Sequence, residues 1–257
     1  MREPELRMHA ASAHTPRLGV EGHRNQRTVD VDPMRKEQAM AERPELKTVR
    51  IPLRGLELEA DLAIPPSAPG LVIFVHGSGS SRTSVRNRRV AAALRERGLG
   101  TLLFDLLTER EEVIDAVDAH LRFDIPLLAG RLGEVTSWAR QAAGDALRLG
   151  YFGASTGAAA ALIAAADSPG EIAAVVSRGG RPDLADRALS RVRAPTLFIV
   201  GGNDTQVLAL NRWALDRLEA PKQLAIVPGA THLFEEPGAL DEVARLASDW
   251  FVDHLAG

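Results

Sequence analysis

A serine, an aspartate and a histidine each follow a different apolar run in this chain. Ser155 lies in the pentapeptide GASTG after one run, Asp204 in GGNDTQV after a second, and His232 in PGATHLF after a third. A histidine can take the proton of a serine hydroxyl near neutral pH, and a carboxylate at its other ring nitrogen fixes the tautomer and stabilises the imidazolium. The three residues therefore predict nucleophilic attack by Ser155, with His232 as general base and Asp204 as its partner.

Each of these residues also has a simpler interpretation. Ser155 could cap the alanine-rich helix that follows it, Asp204 could be a turn residue, and His232 could be an ordinary loop residue. Asp105 and Asp183 are further candidates for the acid. The catalytic interpretation is favoured because the order serine, acid, histidine, with each residue at its own strand end, is typical of a nucleophile elbow between a strand and a helix.

A glycine-rich loop could supply the hydrogen-bond donors that a negatively charged intermediate needs. The sequence VHGSGSSR, residues 75–82, follows a predicted strand directly. We expect the backbone N–H groups of Thr156 and Ser78 to face the developing charge, with Gly79 as the alternative to Ser78. The loop has neither the GxxxxGK[ST] nor the GxGxxG pattern, so nucleotide binding is not expected.

Three arginines are candidates for contacting a substrate. Arg82 ends the glycine-rich loop, and Arg178 and Arg181 flank two glycines after another predicted strand. A guanidinium binds carboxylate or phosphate through two parallel hydrogen bonds, so these side chains could hold an anionic group. The alternative is structural pairing with a nearby acid at Asp183, Asp186 or Glu235.

The elements that position these residues alternate between short apolar runs and helical periodicity. Strands are predicted at residues 47–53, 56–64, 71–75, 100–107, 147–152, 172–176, 196–200 and 223–227. Helices are predicted at residues 85–97, 127–142, 155–166, 208–218 and 240–255. This alternation predicts a mostly parallel central sheet with helices on both faces and an antiparallel N-terminal edge. The short link after residues 172–176 predicts little or no lid.

Composition excludes several classes of protein. The chain has 257 residues and a formal net charge of −3. It has no cysteine, which excludes a disulfide framework, a thiolate metal site and a cysteine nucleophile. No broad basic field is present, so we expect no nucleic-acid partner. The predicted chemistry needs no metal and no organic cofactor, and we expect neither. No apolar stretch approaches the roughly 18 residues of a membrane span and no apolar signal core begins the chain, so we expect a cytoplasmic protein without a membrane partner.

The chain divides into a short first segment and one large domain. Residues 1–46 contain no Phe, Tyr or Trp and are dense in Arg, Glu, His and Pro, so they bury too little apolar surface to become ordered. We expect a disordered tail there and one catalytic domain over residues 47–257, which is long enough for a full core. The sequence leaves a homodimer open, because that state is common for compact enzymes.

Four motifs carry a family resemblance: HGSGSSR, YFGASTGAAAAL, SRGGRPDLA and GATHLFEEPG. Through them residues 47–255 resemble the α/β-hydrolase superfamily, and within it the small proteins similar to dienelactone hydrolases. The resemblance implies hydrolysis of an ester or lactone. With the predicted triad, our leading hypothesis is a serine hydrolase that cleaves a small carboxylic ester, thioester or lactone through an acyl-enzyme. One departure is that dienelactone hydrolases use a cysteine where this chain has Ser155. An acyltransferase with the same triad and a non-catalytic binding module on the same fold are the alternatives.

Overall fold

The fold centres on one eight-stranded sheet. The computed structural model describes residues 44–144 and 146–256, so most of the predicted tail lies outside the described residues. The strands are β1 (Lys47–Leu53), β2 (Leu56–Ala63), β3 (Gly70–Val75), β4 (Gly100–Phe104), β5 (Arg148–Ala154), β6 (Ile172–Arg178), β7 (Thr196–Gly201) and β8 (Lys222–Val227).

The order of these strands in the sheet is β1-β2-β4-β3-β5-β6-β7-β8. β2 pairs antiparallel with β1 and with β4, and all the other neighbours are parallel. The predicted mostly parallel sheet with an antiparallel N-terminal edge is thereby confirmed. The carboxyl ends of the parallel strands lie along one edge of the sheet, which is where side chains from different strands can meet.

Helices cover both faces of the sheet, as predicted. They are α1 (Val85–Glu96), α2 (Glu109–Asp118), α3 (Ile125–Ala143), α4 (Thr156–Asp167), α5 (Asp186–Leu189), α6 (Thr205–Arg217) and α7 (Ala239–Leu255). α1 and α7 pack together over one face, where Phe74 and Phe152 are buried, and α3 and α4 pack together over the other, with Ile73 and Tyr151. Within the described ranges, no helix has the length and apolarity that crossing a bilayer needs.

Helix α2 presents its apolar side chains to solvent. Val113, Ile114 and Val117 are 73%, 56% and 88% exposed, and Asp115 is the residue that the helix buries. The sequence predicts no helix here, because these apolar residues do not form a stripe that faces the core. Hydrophobic burial therefore contributes little to the attachment of α2.

Polar contacts hold α2 in place instead. Glu111 binds the guanidinium of Arg131 in α3, and Asp115 binds that of Arg122. The helix begins with a capping box, in which Glu111 N–H donates to Thr108 Oγ1 at 3.3 Å and Thr108 N–H donates to Glu111 Oε2 at 2.8 Å. The hydrophobic pattern does not reveal this helix, but the Thr-x-x-Glu spacing of the capping box is a local signal from which its start could be predicted.

Candidate active site

Ser155 occupies a strained turn between β5 and α4. Its backbone has φ 51° and ψ −121°, a conformation that costs a non-glycine residue about 1–3 kcal/mol. The side chain of Ser155 makes no hydrogen bond to the first turn of α4, so it does not cap that helix. Such a turn projects one hydroxyl above the edge of the sheet.

Two glycines make this turn sterically feasible. A Cβ on Gly157 would lie 2.3 Å from the carbonyl oxygens of Val75 and His76. A Cβ on Gly153 would lie 2.5 Å from the Cα atom of Ala158. A side chain at either position would push α4 away from the sheet, so glycine is required by close backbone approach.

Gly157→Ala is therefore expected to destabilise the fold. The added Cβ collides with backbone oxygens that can move only if a strand or a helix moves, so we expect a loss of about 2–3 kcal/mol in the free energy of unfolding. Gly130→Ala in α3 is the matched control: beyond its chain neighbours and the backbone of its own helix turn, no described atom lies within 4 Å of the added Cβ, and the variant should be more stable by about 0.5–1 kcal/mol. Denaturant titration measures both, and equal effects would contradict the steric explanation.

His232 and Asp204 form the second part of the site. Asp204 follows β7 and precedes α6, but its side chain does not cap that helix. Its Oδ2 lies 2.7 Å from Nδ1 of His232, which is in the loop after β8. A proton on Nδ1 is held by the carboxylate in this arrangement, which leaves Nε2 free to accept a proton from a hydroxyl.

The two other candidate acids have arginine partners. Asp105 accepts hydrogen bonds from the backbone N–H and from Nη1 of Arg82, both at 2.7 Å. Asp183 accepts from Nε of Arg181 at 2.8 Å and from Nη2 at 2.7 Å. Asp204 is thus the carboxylate that the structure places at the His232 ring.

A short segment after β6 contacts both Ser155 and His232. The N–H of Ser155 donates to the carbonyl of Arg178 at 3.2 Å, and the N–H of Arg181 donates to the carbonyl of Ser155 at 3.0 Å. Gly179 lies against the imidazole, since a Cβ there would be 3.5 Å from Nδ1 of His232. Among the described residues no hydrogen bond joins Ser155 Oγ to His232, and such bonds are often long before a substrate is present.

The glycine-rich loop lies directly against the serine. A Cβ on Gly77 would be 3.0 Å from Ser155 Cβ. The N–H of Thr156 belongs to the first turn of α4, where backbone donors have no partner within the helix. The N–H of Ser78 donates to Thr156 Oγ1 at 2.9 Å, so it can reach a substrate only if that side chain turns away. Gly79, with φ 70°, follows it in the same loop.

His76 is a structural part of this loop. Its Nδ1 lies 2.9 Å from the carbonyl oxygen of Gly77, and its Nε2 accepts the N–H of Leu106 at 3.0 Å. Burial lowers the pKa of His76 below its usual value, although the contact with Gly77 opposes the shift. A neutral ring with its proton on Nδ1 satisfies both contacts, so His76 fastens the loop to the segment after β4.

Two of the three candidate arginines are neutralised by acids. Arg82 donates to Glu59 at 2.5 Å and to Asp105 at 2.7 Å. Arg181 is bound in a bidentate manner by Asp183, which is the structural pairing that the sequence offers as the alternative to substrate contact. Each of these guanidinium groups has its charge compensated within the protein.

Arg178 has no carboxylate partner among the described residues. Its side chain is 7% exposed, with Asn87 Oδ1 at 3.5 Å and the centre of the Phe234 ring at 5.8 Å. Burial lowers the pKa of Arg178 to about 10, and the charge of Arg86 adds to the shift. An uncompensated buried charge destabilises a fold, so Arg178 is a candidate for a functional role.

A cavity of about 330 Å³ adjoins the glycine-rich loop. Sequence reasoning did not identify it, because α2 and the turn that follows α2 form one of its walls. The lining residues are His76, Gly77, Ser78, Gly79, Ser80, Ser81, Leu106, Leu107, Glu112, Asp115, Arg122 and Leu128. The cavity thus extends from the site of the predicted oxyanion hole toward the end of β4.

A cluster of potential metal ligands lies at the end of α2. Donor atoms of Asp115, Asp118 and His120 lie within 4.8 Å of one another. Asp115 already accepts the N–H groups of Leu121 at 2.7 Å and of Arg122 at 3.1 Å. These contacts account for the carboxylate of Asp115 without an ion, and clustered acidic groups alone do not define a metal site.

The sheet order, the strained serine after β5 and the Asp–His pair after β7 and β8 together define an α/β-hydrolase. The model of the Dienelactone hydrolase family matches residues 58–253. The chain belongs to the dienelactone hydrolase family, and its family and fold together support a hydrolase.

Solved structures agree with this assignment. The crystal structure of Dienelactone hydrolase from Anabaena variabilis has a TM-score of 0.81 and 55% identity, and it covers 82% of this chain and 99% of its own. Est1E from Butyrivibrio proteoclasticus has a TM-score of 0.69 at 16% identity, with 82% and 99% of the two chains covered. The second likeness shows the fold alone.

Curated relatives carry a different name. Two proteins of Mycobacterium tuberculosis, from strains CDC 1551 and H37Rv, are each 58% identical to this chain over 197 residues. Both have the provisional name phosphoribosyl transferase. The match covers 76% of this chain but 44% of theirs, so the chain spans less than half the length of these relatives.

Proposed function

We propose that this protein is a serine hydrolase that cleaves small carboxylic esters, thioesters or lactones through an acyl-enzyme. The observation that carries the proposal is the strained conformation of Ser155, whose side chain caps nothing, close to a histidine already bound to an aspartate at 2.7 Å. Backbone strain of this kind persists where the surrounding structure enforces it, and it is concentrated at functional sites.

In the first half of the reaction Ser155 Oγ attacks the carbonyl carbon of the substrate. His232 Nε2 takes the hydroxyl proton as the Oγ–C bond forms, and Asp204 stabilises the resulting imidazolium. The carbonyl electrons move onto oxygen, where the N–H of Thr156 and that of Gly79 or Ser78 would stabilise the charge. Collapse of this intermediate breaks the bond to the leaving group, which receives the proton from His232.

In the second half water replaces the leaving group. His232 takes a proton from the water as the new C–O bond forms at the acyl carbon, and it returns this proton to Ser155 Oγ as the acyl–enzyme bond breaks. The products are a carboxylic acid and the free enzyme. A competing alcohol or amine in place of water would make the protein an acyltransferase.

The test is a screen of p-nitrophenyl esters of rising acyl length, with labelling by a fluorophosphonate probe. Turnover together with labelling at Ser155 is expected. Because little or no lid encloses the site, we also expect short acyl chains to be preferred over long ones. The absence of both turnover and labelling would favour the non-catalytic binding module. Product analysis with and without an added alcohol or amine separates the hydrolase from the acyltransferase.

The transferase name of the Mycobacterium tuberculosis relatives needs a separate explanation. More than half of their length lies outside the match with this chain, whereas the hydrolase family model covers residues 58–253 here. We propose that the name describes the part of those relatives that this chain does not match. A transferase assay with a phosphoribosyl donor should therefore give no turnover with this protein.

Arg178 is our candidate for contact with an anionic group of the substrate. It is the candidate arginine whose charge no acid compensates among the described residues, and it packs beneath Phe234 in the loop that carries His232. Because His232 protonates the leaving group, we propose that the leaving group carries the carboxylate or phosphate.

A matched pair of acetyl esters tests this role of Arg178. Wild type should prefer 4-acetoxybenzoate to the neutral 4-acetoxybenzamide in kcat/KM, and more strongly at low salt. Arg178→Ala should lower that preference about tenfold, whereas Arg181→Ala, which removes an arginine already paired with Asp183, should change it less than about twofold. Equal losses for both esters in Arg178→Ala would reject the anion site and leave Arg178 to position the His232 loop.

A further inference from the structure

The cavity beside the glycine-rich loop lies on one particular side of the nucleophile. β3 and β4 lie on one side of β5 in the sheet, and β6, β7 and β8 lie on the other. The cavity is bounded by the segments after β3 and β4, including Leu106 and Gly77, where an added Cβ would lie 3.0 Å from Ser155 Cβ. His232 approaches from the side of β8. The cavity is therefore on the side away from the general base.

This position suits the acyl part of a substrate. His232 must donate its proton to the leaving group, which places that group on the side of β8. The acyl substituent on the reacting carbon then extends toward β4, where the cavity lies. A volume of about 330 Å³ is at the small end of the range for ligand pockets, as expected for one substituent and not a whole large ligand.

The floor of the cavity is apolar. Leu106 and Leu128 are each 2% exposed and Leu107 is 8% exposed, and all three line the cavity. Burying methylene groups against such side chains is favourable by about 0.8 kcal/mol for each group. The floor thus suits a hydrocarbon chain.

The charged residues of the cavity wall differ in whether an ion pair compensates their charge. Asp115 and Arg122 are paired with each other, so neither offers an uncompensated charge to a ligand. Glu112 has no ion-pair partner among the described residues that surround it. Partial burial raises the pKa of Glu112, the charges of Asp105 and Glu109 add to the shift, and the charges of Arg122 and Arg82 oppose it. Glu112 lines the cavity without a salt bridge to any described residue, and its ionised form accepts a hydrogen bond and repels a second carboxylate.

We propose that this cavity is the acyl subsite and that Glu112 determines its specificity. The subsite takes an acyl group with an apolar body, uncharged or ending in a hydrogen-bond donor, and disfavours an acyl group that ends in a carboxylate. This inference rests on the proposed serine hydrolase activity, and it adds a charge preference to the acyl side of the substrate.

Two esters of equal chain length test the charge preference. Wild type should have a higher kcat/KM for p-nitrophenyl hexanoate than for mono-p-nitrophenyl adipate, which ends in a carboxylate. Glu112→Gln should lower this hexanoate-to-adipate ratio about threefold and Glu112→Lys about tenfold, since Glu112 is partly screened by solvent. Glu109→Gln, which removes an acid from the same helix outside the cavity, is the matched control and should lower the ratio by less than half as much.

A second variant tests the space itself. Leu107→Trp should fill part of the cavity and lower the ratio of kcat/KM for hexanoate over acetate about tenfold, because the shorter acyl group needs less of the cavity. Ratios within one variant cancel any general loss of activity. If Leu107→Trp does not fold, the exposed Glu112 variants still decide the question.

The outcomes separate this inference from the proposed function. Absence of ester turnover and of fluorophosphonate labelling in wild type would overturn the serine hydrolase and the acyl subsite together. Normal turnover with a preference for adipate in wild type, or with ratios that neither Glu112→Lys nor Leu107→Trp changes, would overturn the acyl subsite alone.

Discussion

Ser155→Ala is expected to lower kcat by about a millionfold, the loss that removal of the nucleophile causes in related chemistry. The variant deletes the hydroxyl that attacks the substrate but removes almost no packing. Alanine retains a Cβ at the same φ of 51°, so the backbone strain and the melting temperature should stay nearly unchanged. Steady-state kinetics on p-nitrophenyl acetate and thermal unfolding followed by circular dichroism measure the two effects.

A second serine provides the control for this prediction. Ser137 is exposed on α3, where its Oγ donates to the carbonyl of Gly133. Ser137→Ala should retain wild-type turnover and fluorophosphonate labelling, and Ser155→Ala should lose both. Labelling of any residue other than Ser155, identified by peptide mass spectrometry, would show that the nucleophile is assigned to the wrong residue.

Asp204→Asn is expected to lower kcat by about ten-thousandfold, as the equivalent change does in other triads. An amide at this position can donate to Nδ1 of His232, which lies 2.7 Å from the present carboxylate. The ring proton then moves to Nε2, and the histidine can no longer take the proton of Ser155. The variant should still fold, because the shape of the side chain is conserved.

Asp183→Asn is the comparison that tests the choice of acid. Asp183 was a candidate in the sequence, but its carboxylate is bound to Arg181. Its replacement should lower kcat by less than about tenfold. The reverse result, with a large loss for Asp183→Asn and a small loss for Asp204→Asn, would contradict the arrangement of His232 and Asp204 as the catalytic pair.

The sheet could be predicted from the sequence because its strands have a simple pattern. A strand buried on both faces is a short continuous apolar run, and β3 is buried at every position. Glycines and prolines end these runs, and helical periodicity fills the intervals. The location of the candidate site could be predicted for the same reason, since parallel strands deliver the residues that follow them to one edge.

The remaining features depend on contacts that local pattern does not encode. Helix α2 was not predicted because its apolar residues face solvent, and the cavity behind it was missed as a result. The bond from Ser78 N–H to Thr156 Oγ1 depends on one side-chain rotamer. The isolation of Arg178 depends on which acids lie near it in space, and the three candidate acids pair with other arginines: Asp183 with Arg181, Asp186 with Arg217 and Glu235 with Arg86.

The polar attachment of α2 also bears on how proteins of this architecture can diverge. Asp115 and Arg131 are buried in their ion pairs, so breaking those pairs would cost several kcal/mol. Glu112 on the cavity wall is exposed, and substitutions at exposed positions change stability by about 0.5 kcal/mol or less, so this part of the wall can be remodelled at little cost to folding. Substitutions in β3 or β5 have no such freedom, because those strands form the buried centre of the sheet. If the cavity is the proposed acyl subsite, natural selection can therefore change its acyl preference through the segment between β4 and α3, while the strained turn at Ser155 stays intact.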